Sequence, residues 1–153
     1  KSKSELLNSE AYKTEIKAAK TKLSLLIMTA ANFLSNRMQD EQGVFRHSHD
    51  LAKNTFEPAK NISDQLRPIR ALLKAGDVLG SDLYRWAALD GYYALNAEFW
   101  AHGYYNGPAG KPLRLDELLE LNQTLARIKP LLEGESLEQL NWVLDRSVRP
   151  LAQ

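Results

Sequence analysis

The residues best suited to chemistry lie in one stretch, Ser81–Asn106, which reads SDLYRWAALDGYYALNAEFWAHGYYN. Asp90 stands there in a row with Leu83, Trp86, Tyr93, Ala97, Trp100 and Tyr104, at alternating steps of three and four that define one helix face. Read as the core-facing row, it puts a carboxylate where Leu or Ala is expected. Burying an ionised carboxylate without a partner is costly, so Asp90 is expected to hold a donor. That donor is either on a small molecule, in a pocket of Trp86, Asp90, Tyr93 and Trp100, or on the protein, as a Tyr hydroxyl, a Trp N–H, Arg67 or Arg70. Aromatic walls with a few polar handles suit amino acids, sugars or cations.

Tyr92/Tyr93 and Tyr104/Tyr105 are adjacent pairs, so the two members of each point to different sides of a helix. Tyr92, Tyr104 and Tyr105 are the candidates for an outward surface that a protein partner would use. A third constellation is Glu98 and His102, four apart on a helix, with His47 and His49 in a polar run. Carboxylates and neutral imidazoles are competent zinc ligands, so these four form a candidate metal site for an enzyme. The helix motif of di-iron bundles is Glu-x-x-His and occurs twice; here the spacing is one longer and occurs once.

Several chemistries are excluded. Without cysteine there is no thiol nucleophile, disulfide framework or thiolate metal site. Gly107–Pro112 fails the phosphate-loop spacing, and Pro112 stands where a hydroxyl would ligate the metal. No cofactor is called for. With 20 Lys+Arg against 19 Asp+Glu the chain is too balanced to be held mainly by nucleic-acid phosphates. Lys1, Lys3, Lys13, Lys17, Lys20 and Lys22 bias the N-terminal arm and read as a solvated helix face. The apolar run from Leu23 falls far short of the ~20 residues of a membrane span. Absence of cysteine fits any compartment and slightly favours an exported one. The opening KSKS without Met suggests a processed or excised piece.

Positioning these residues falls to helices. Ser4–Asp40 reads as one helix with a break near Ser9, its stripe Ile16, Ala19, Leu23, Leu26, Ile27, Ala30, Phe33, Leu34 and Met38, and Gly43 as its cap. Residues 44–59 read as an irregular connection with one helical turn around His49–Lys53. A helix through Ile62–Leu73 follows, capped by Asn61 or Ser63, complicated by Pro68 and closed by Gly76 and Gly80. The central helix carries a second apolar row, Tyr84, Ala88, Leu95 and Phe99. Beyond a Gly/Pro turn at 103–112, Leu115, Leu118, Leu121, Leu125, Ile128 and Leu132 form a stripe. A last helix from Ser136 buries Leu137, Leu140, Leu144, Val148 and Leu151. No strand pattern is visible.

The expected fold is therefore all-α: one domain, residues 1–153, an antiparallel bundle of about five helices around the aromatic-rich one. The stretch MQDEQGVFRHSH after a long helix resembles the helical-hairpin turns of α/α-toroid carbohydrate enzymes. It covers twelve residues without a second matching turn, and the chain is too short for a complete toroid, so no family is assigned. The function expected is non-catalytic binding of a small ligand, as a sensory or extracytoplasmic part of a larger protein. The alternatives are a protein-interaction module, a homodimer included, and a metal-assisted enzyme.

Overall fold

The computed structural model describes residues 2–148, without the side chains of Leu6, Ser147 and Val148. These residues form six α-helices and two very short hairpins: α1 (Lys3–Leu7), α2 (Glu10–Phe33), β1 (Ser48–Asp50), β2 (Thr55–Glu57), α3 (Ser63–Leu79), α4 (Asp82–Phe99), β3 (Trp100–Ala101), β4 (Tyr104–Tyr105), α5 (Leu115–Ile128) and α6 (Gly134–Val148). No helix among them is long and apolar enough to cross a membrane.

The break near Ser9 is real: its Oγ accepts the Tyr12 N–H at 3.2 Å, capping α2. The helix widens into a π-helical turn at Leu34–Met38 and ends there, earlier than expected. Gly43 is not its cap. With φ +87° it closes a tight turn instead, and a Cβ at this position would meet the Asp90 carbonyl oxygen at 2.7 Å. Only glycine allows both that backbone and that approach.

The expected irregular connection contains an antiparallel hairpin, with His49 opposite Phe56, in place of a helical turn. Its strands are three residues long, too short for alternation to register. Asn54, at φ +50°, and the Asp50 carboxylate close its turn. In front of α3, Asn61 is the capping group: its side-chain oxygen accepts the Asp64 N–H at 3.1 Å, and the Asp64 carboxylate accepts the Asn61 and Lys60 N–H groups in return. Ser63 instead donates to Glu120 on α5. Pro68 sits inside the helix, which runs on to Gly80 in the left-handed conformation.

α3 is the hub, packed against α4, α5 and the C-terminal part of α2, while α6 packs on α5. Its buried face supplies Leu66, Ile69, Leu72 and Leu73, each contributing about 1.5–3 kcal/mol by leaving water. Glu120 ties α5 to α3 by accepting from Arg67 and Arg70 as well as Ser63. α5 buries Leu121, Leu125 and Ile128, with Leu132 just beyond, as its stripe implies, but Leu115 is exposed. α6 starts two residues before Ser136 and buries Leu140 and Val143; Leu151 lies outside the described residues.

The face of α4 is inverted relative to expectation. Tyr84, Ala88, Leu95 and Phe99 are buried, together with Gly91, Tyr92 and Ala94. Leu83, Trp86, Asp90, Tyr93, Ala97 and Tyr104 are exposed. Both faces are apolar enough to compete, and small residues decide. Gly91 lets the Phe45 ring and Ile69 come to within 2.7 and 2.9 Å of where its Cβ would stand, which no side chain would permit. α2 is also less buried than its stripe implies: Leu23, Leu26 and Phe33 are exposed, and Ala31 is its one buried residue.

Candidate functional site

Phe45 anchors the turn that faces α4. Gln65 on α3, with no exposed surface, accepts the Phe45 N–H at 2.8 Å and donates to its carbonyl at 2.6 Å. That clasp satisfies both backbone groups of a fully buried residue. The preceding turn is fixed as firmly. Asp40 Oδ1 accepts the N–H groups of Gln42 and Val44, both at 2.9 Å. Gln39 Nε2 donates to the Gly43 carbonyl at 3.1 Å and to the Ala87 carbonyl of α4 at 2.9 Å. The turn is therefore pinned against the helix carrying Asp90.

Between them lie two adjoining shallow hollows of about 340 and 410 Å³ that share Ser35, Gln39 and Asp90. Asn32, Asn36, Leu83, Tyr84, Trp86 and Ala87 complete the first; Asp40, Glu41, Gln42, Gly43 and Tyr93 complete the second. Trp86 is 61% and Tyr93 50% exposed, so each presents much of its ring. The Asp90 carboxylate makes no hydrogen bond or ion pair with any described residue. Being exposed, it pays no burial penalty and needs no protein partner, contrary to expectation. Three carboxylates and no lysine or arginine line the pair of hollows. Ser35 and Gln39 spend their donors on backbone carbonyls, so the shared wall presents acceptors. Such a surface attracts donors and positive charge.

The other candidates are placed elsewhere. Trp100 is half-buried at the end of α4, its ring centroid 4.8 Å from Tyr105 and 5.9 Å from Trp142 on α6. It belongs to that junction and lines neither hollow. Tyr92 and Tyr105, expected to face outward, are only 2% and 7% exposed. Tyr105 turns inward because β3 and β4 fold back on the core, leaving Tyr104 as the exposed member of its pair. Burial raises both the Tyr92 and Tyr105 phenols above their ordinary range, a hydrogen bond to Asn96 partly offsetting this for Tyr92.

The four metal candidates are not assembled. Among the described residues no three His, Asp or Glu side chains come close enough to share an ion. α4 ends at Phe99, so the four-residue spacing from Glu98 to His102 no longer lies on a helix. His102, at φ +57°, and Gly103, at +88°, are the two central residues of the β3–β4 turn, the signature of a type I′ turn. His47 Nδ1 lies 3.0 Å from both Asp64 oxygens. His49 stacks on Phe56 with centroids 4.1 Å apart, with Nε2 at 3.0 Å from Asn54 Oδ1.

Sequence reasoning overlooked Asn32, Ser35, Asn36 and Gln39. Their spacing of three, four and seven was a readable polar stripe at the end of α2. Compared with protein-family models, curated proteins and solved structures, the chain matches none.

Proposed function

We propose that the chain is a single non-catalytic binding domain, with α2 to α6 as an antiparallel bundle packed about α3, that takes a small organic cation in the hollows meeting at Asp90. It would serve as the sensory part of a larger protein. The observation that supports this is the unpartnered Asp90 carboxylate between two exposed aromatic rings, in walls that hold carboxylates and no cation. An ammonium group gains there from the carboxylate and from the π faces of Trp86 and Tyr93. These two residues are seven apart, about 10 Å along the helix. A linear polyamine spans that length with a charge near each ring. Exposed ion pairs contribute up to about 1 kcal/mol and exposed cation–π contacts about 0.5–1 each. Their sum, about 2–3 kcal/mol, fits a Kd on the order of 10 mM.

Calorimetry with spermidine, against triethylene glycol as a neutral chain of similar length, tests the reading. Spermidine is expected to bind and the glycol not to. Asp90→Asn, at an exposed position, is expected to weaken spermidine by about two- to fivefold while changing stability by less than ~0.5 kcal/mol. Equal heats for the two compounds, or none for either, would refute it. A protein-interaction role is the second reading. Of the tyrosines first considered for it only Tyr104 is exposed, and the observation favouring it is the open apolar face of α2.

A further inference from the structure

A larger groove of about 890 Å³ runs along α2, from Lys13 to Asn32, and is closed on its other side by Leu79, Leu83 and Tyr84. Nineteen residues of helix between its ends correspond to about 28 Å. Leu25, Met28 and Leu83 line it and are exposed, Leu25 to 54%. Leu23, Leu26 and Phe33, elsewhere on the same helix and outside the lining, are exposed as well. Exposed apolar side chains gathered in one groove on a long helix mark a binding face.

The charges around it have one sign. Lys13, Lys17 and Lys20 line the groove at steps of four and three, and no carboxylate does. Lys13 pairs with Glu10 at 3.2 Å, outside the lining, whereas Lys17 and Lys20 make no ion pair with any described residue. From this charge complementarity we infer that the groove receives an amphipathic α-helix of a partner, its apolar stripe on Leu25, Met28 and Leu83 and its acidic flank along Lys17 and Lys20. The groove is open along its length, as a helix 10–12 Å across requires. Lysines one turn apart match carboxylates at the same spacing on a helix lying beside them. The site adjoins the Asp90 hollows at Asn32, Leu83 and Tyr84 but carries the opposite charge.

The test uses two labelled helical peptides of about 18 residues with the same leucine stripe, one flanked by Glu and the other by Lys. Fluorescence anisotropy with the whole chain at low salt is expected to show the Glu-flanked peptide binding at least about tenfold more tightly, an advantage that shrinks in ~0.3 M salt. Lys17→Glu with Lys20→Glu reverses the preference, and Leu25→Asp weakens both peptides. All three positions are exposed, so folding is preserved, which thermal unfolding checks. Equal binding of the two peptides, binding of neither, or affinity unchanged by Leu25→Asp would overturn the inference. Self-association in sedimentation that Leu25→Asp abolishes would also overturn it, by making a second copy the occupant.

Discussion

At the C-terminal part of α4, the Tyr105 hydroxyl donates to the side-chain oxygen of Asn96, and the Tyr92 phenol, also beside Asn96, is buried as well. Buried phenols so placed make stability depend on alkali. In the unfolded chain each loses its proton near the ordinary value of 10, whereas burial holds it to higher pH in the fold. Stability is therefore full below about pH 10 and declines as pH rises past it, because the unfolded chain releases protons that the native state retains. Tyr105→Phe is expected to flatten that decline while costing about 1 kcal/mol at neutral pH, the loss of one hydrogen bond from a half-buried Asn96. Urea unfolding of both proteins on either side of pH 10 checks this, and an unchanged decline would contradict it. Asp90 illustrates the opposite situation at the same scale. Its exposed carboxylate has lost no hydration, so what it can do is set by its neighbours rather than by burial.

Among the elements, α3, α4 and the turn before α3 pack closely at Gly91, where the Phe45 ring and the Ile69 side chain occupy the space of a missing side chain. Gly91→Ala would gain about 1 kcal/mol in helix propensity but force a methyl against the Phe45 ring, which the Gln65 clasp prevents from retreating. Overpacking there costs about 1–3 kcal/mol, so a net destabilisation of up to about 2 kcal/mol is expected, seen as a Tm lower by up to roughly 4–8 °C. A Tm that rises would mean the turn gives way. Such close packing also explains what was legible. The helices were readable because apolar residues recur at steps of three and four over many turns, as in α3 and α5. The hairpin at 48–57 was not, because three residues per strand show no period. The face of α4 was misread because aromatic residues lie on both sides of it. Asp90 was itself the sign of the outer face, and Gly91, Ala88 and Ala94 of the inner one. The polar stripe Asn32, Ser35, Asn36 and Gln39 was visible, but its meaning depends on the turn at 39–45, which brings it to α4.

Across the whole molecule a nearly neutral chain separates its charges into neighbouring concavities. The groove along α2 carries lysines over an apolar floor, while the hollows at Asp90 carry carboxylates between exposed rings, and Asn32, Leu83 and Tyr84 border both. Net charge, at +1, conceals this arrangement. On the proposed reading a cation would be attracted to one concavity and an acidic helix to the other, each being steered away from the wrong site. The most direct measurement of the central claim uses the three indole N–H signals in a proton–nitrogen NMR spectrum during spermidine addition. Trp100 and Trp142 lie together at the α4–α6 junction and serve as internal controls, whereas Trp86 borders the hollow. The Trp86 signal alone is expected to move and saturate, and to stay still with triethylene glycol. A Trp86 signal that never moves, or moves no more than those of Trp100 and Trp142, would contradict a cation site at Asp90.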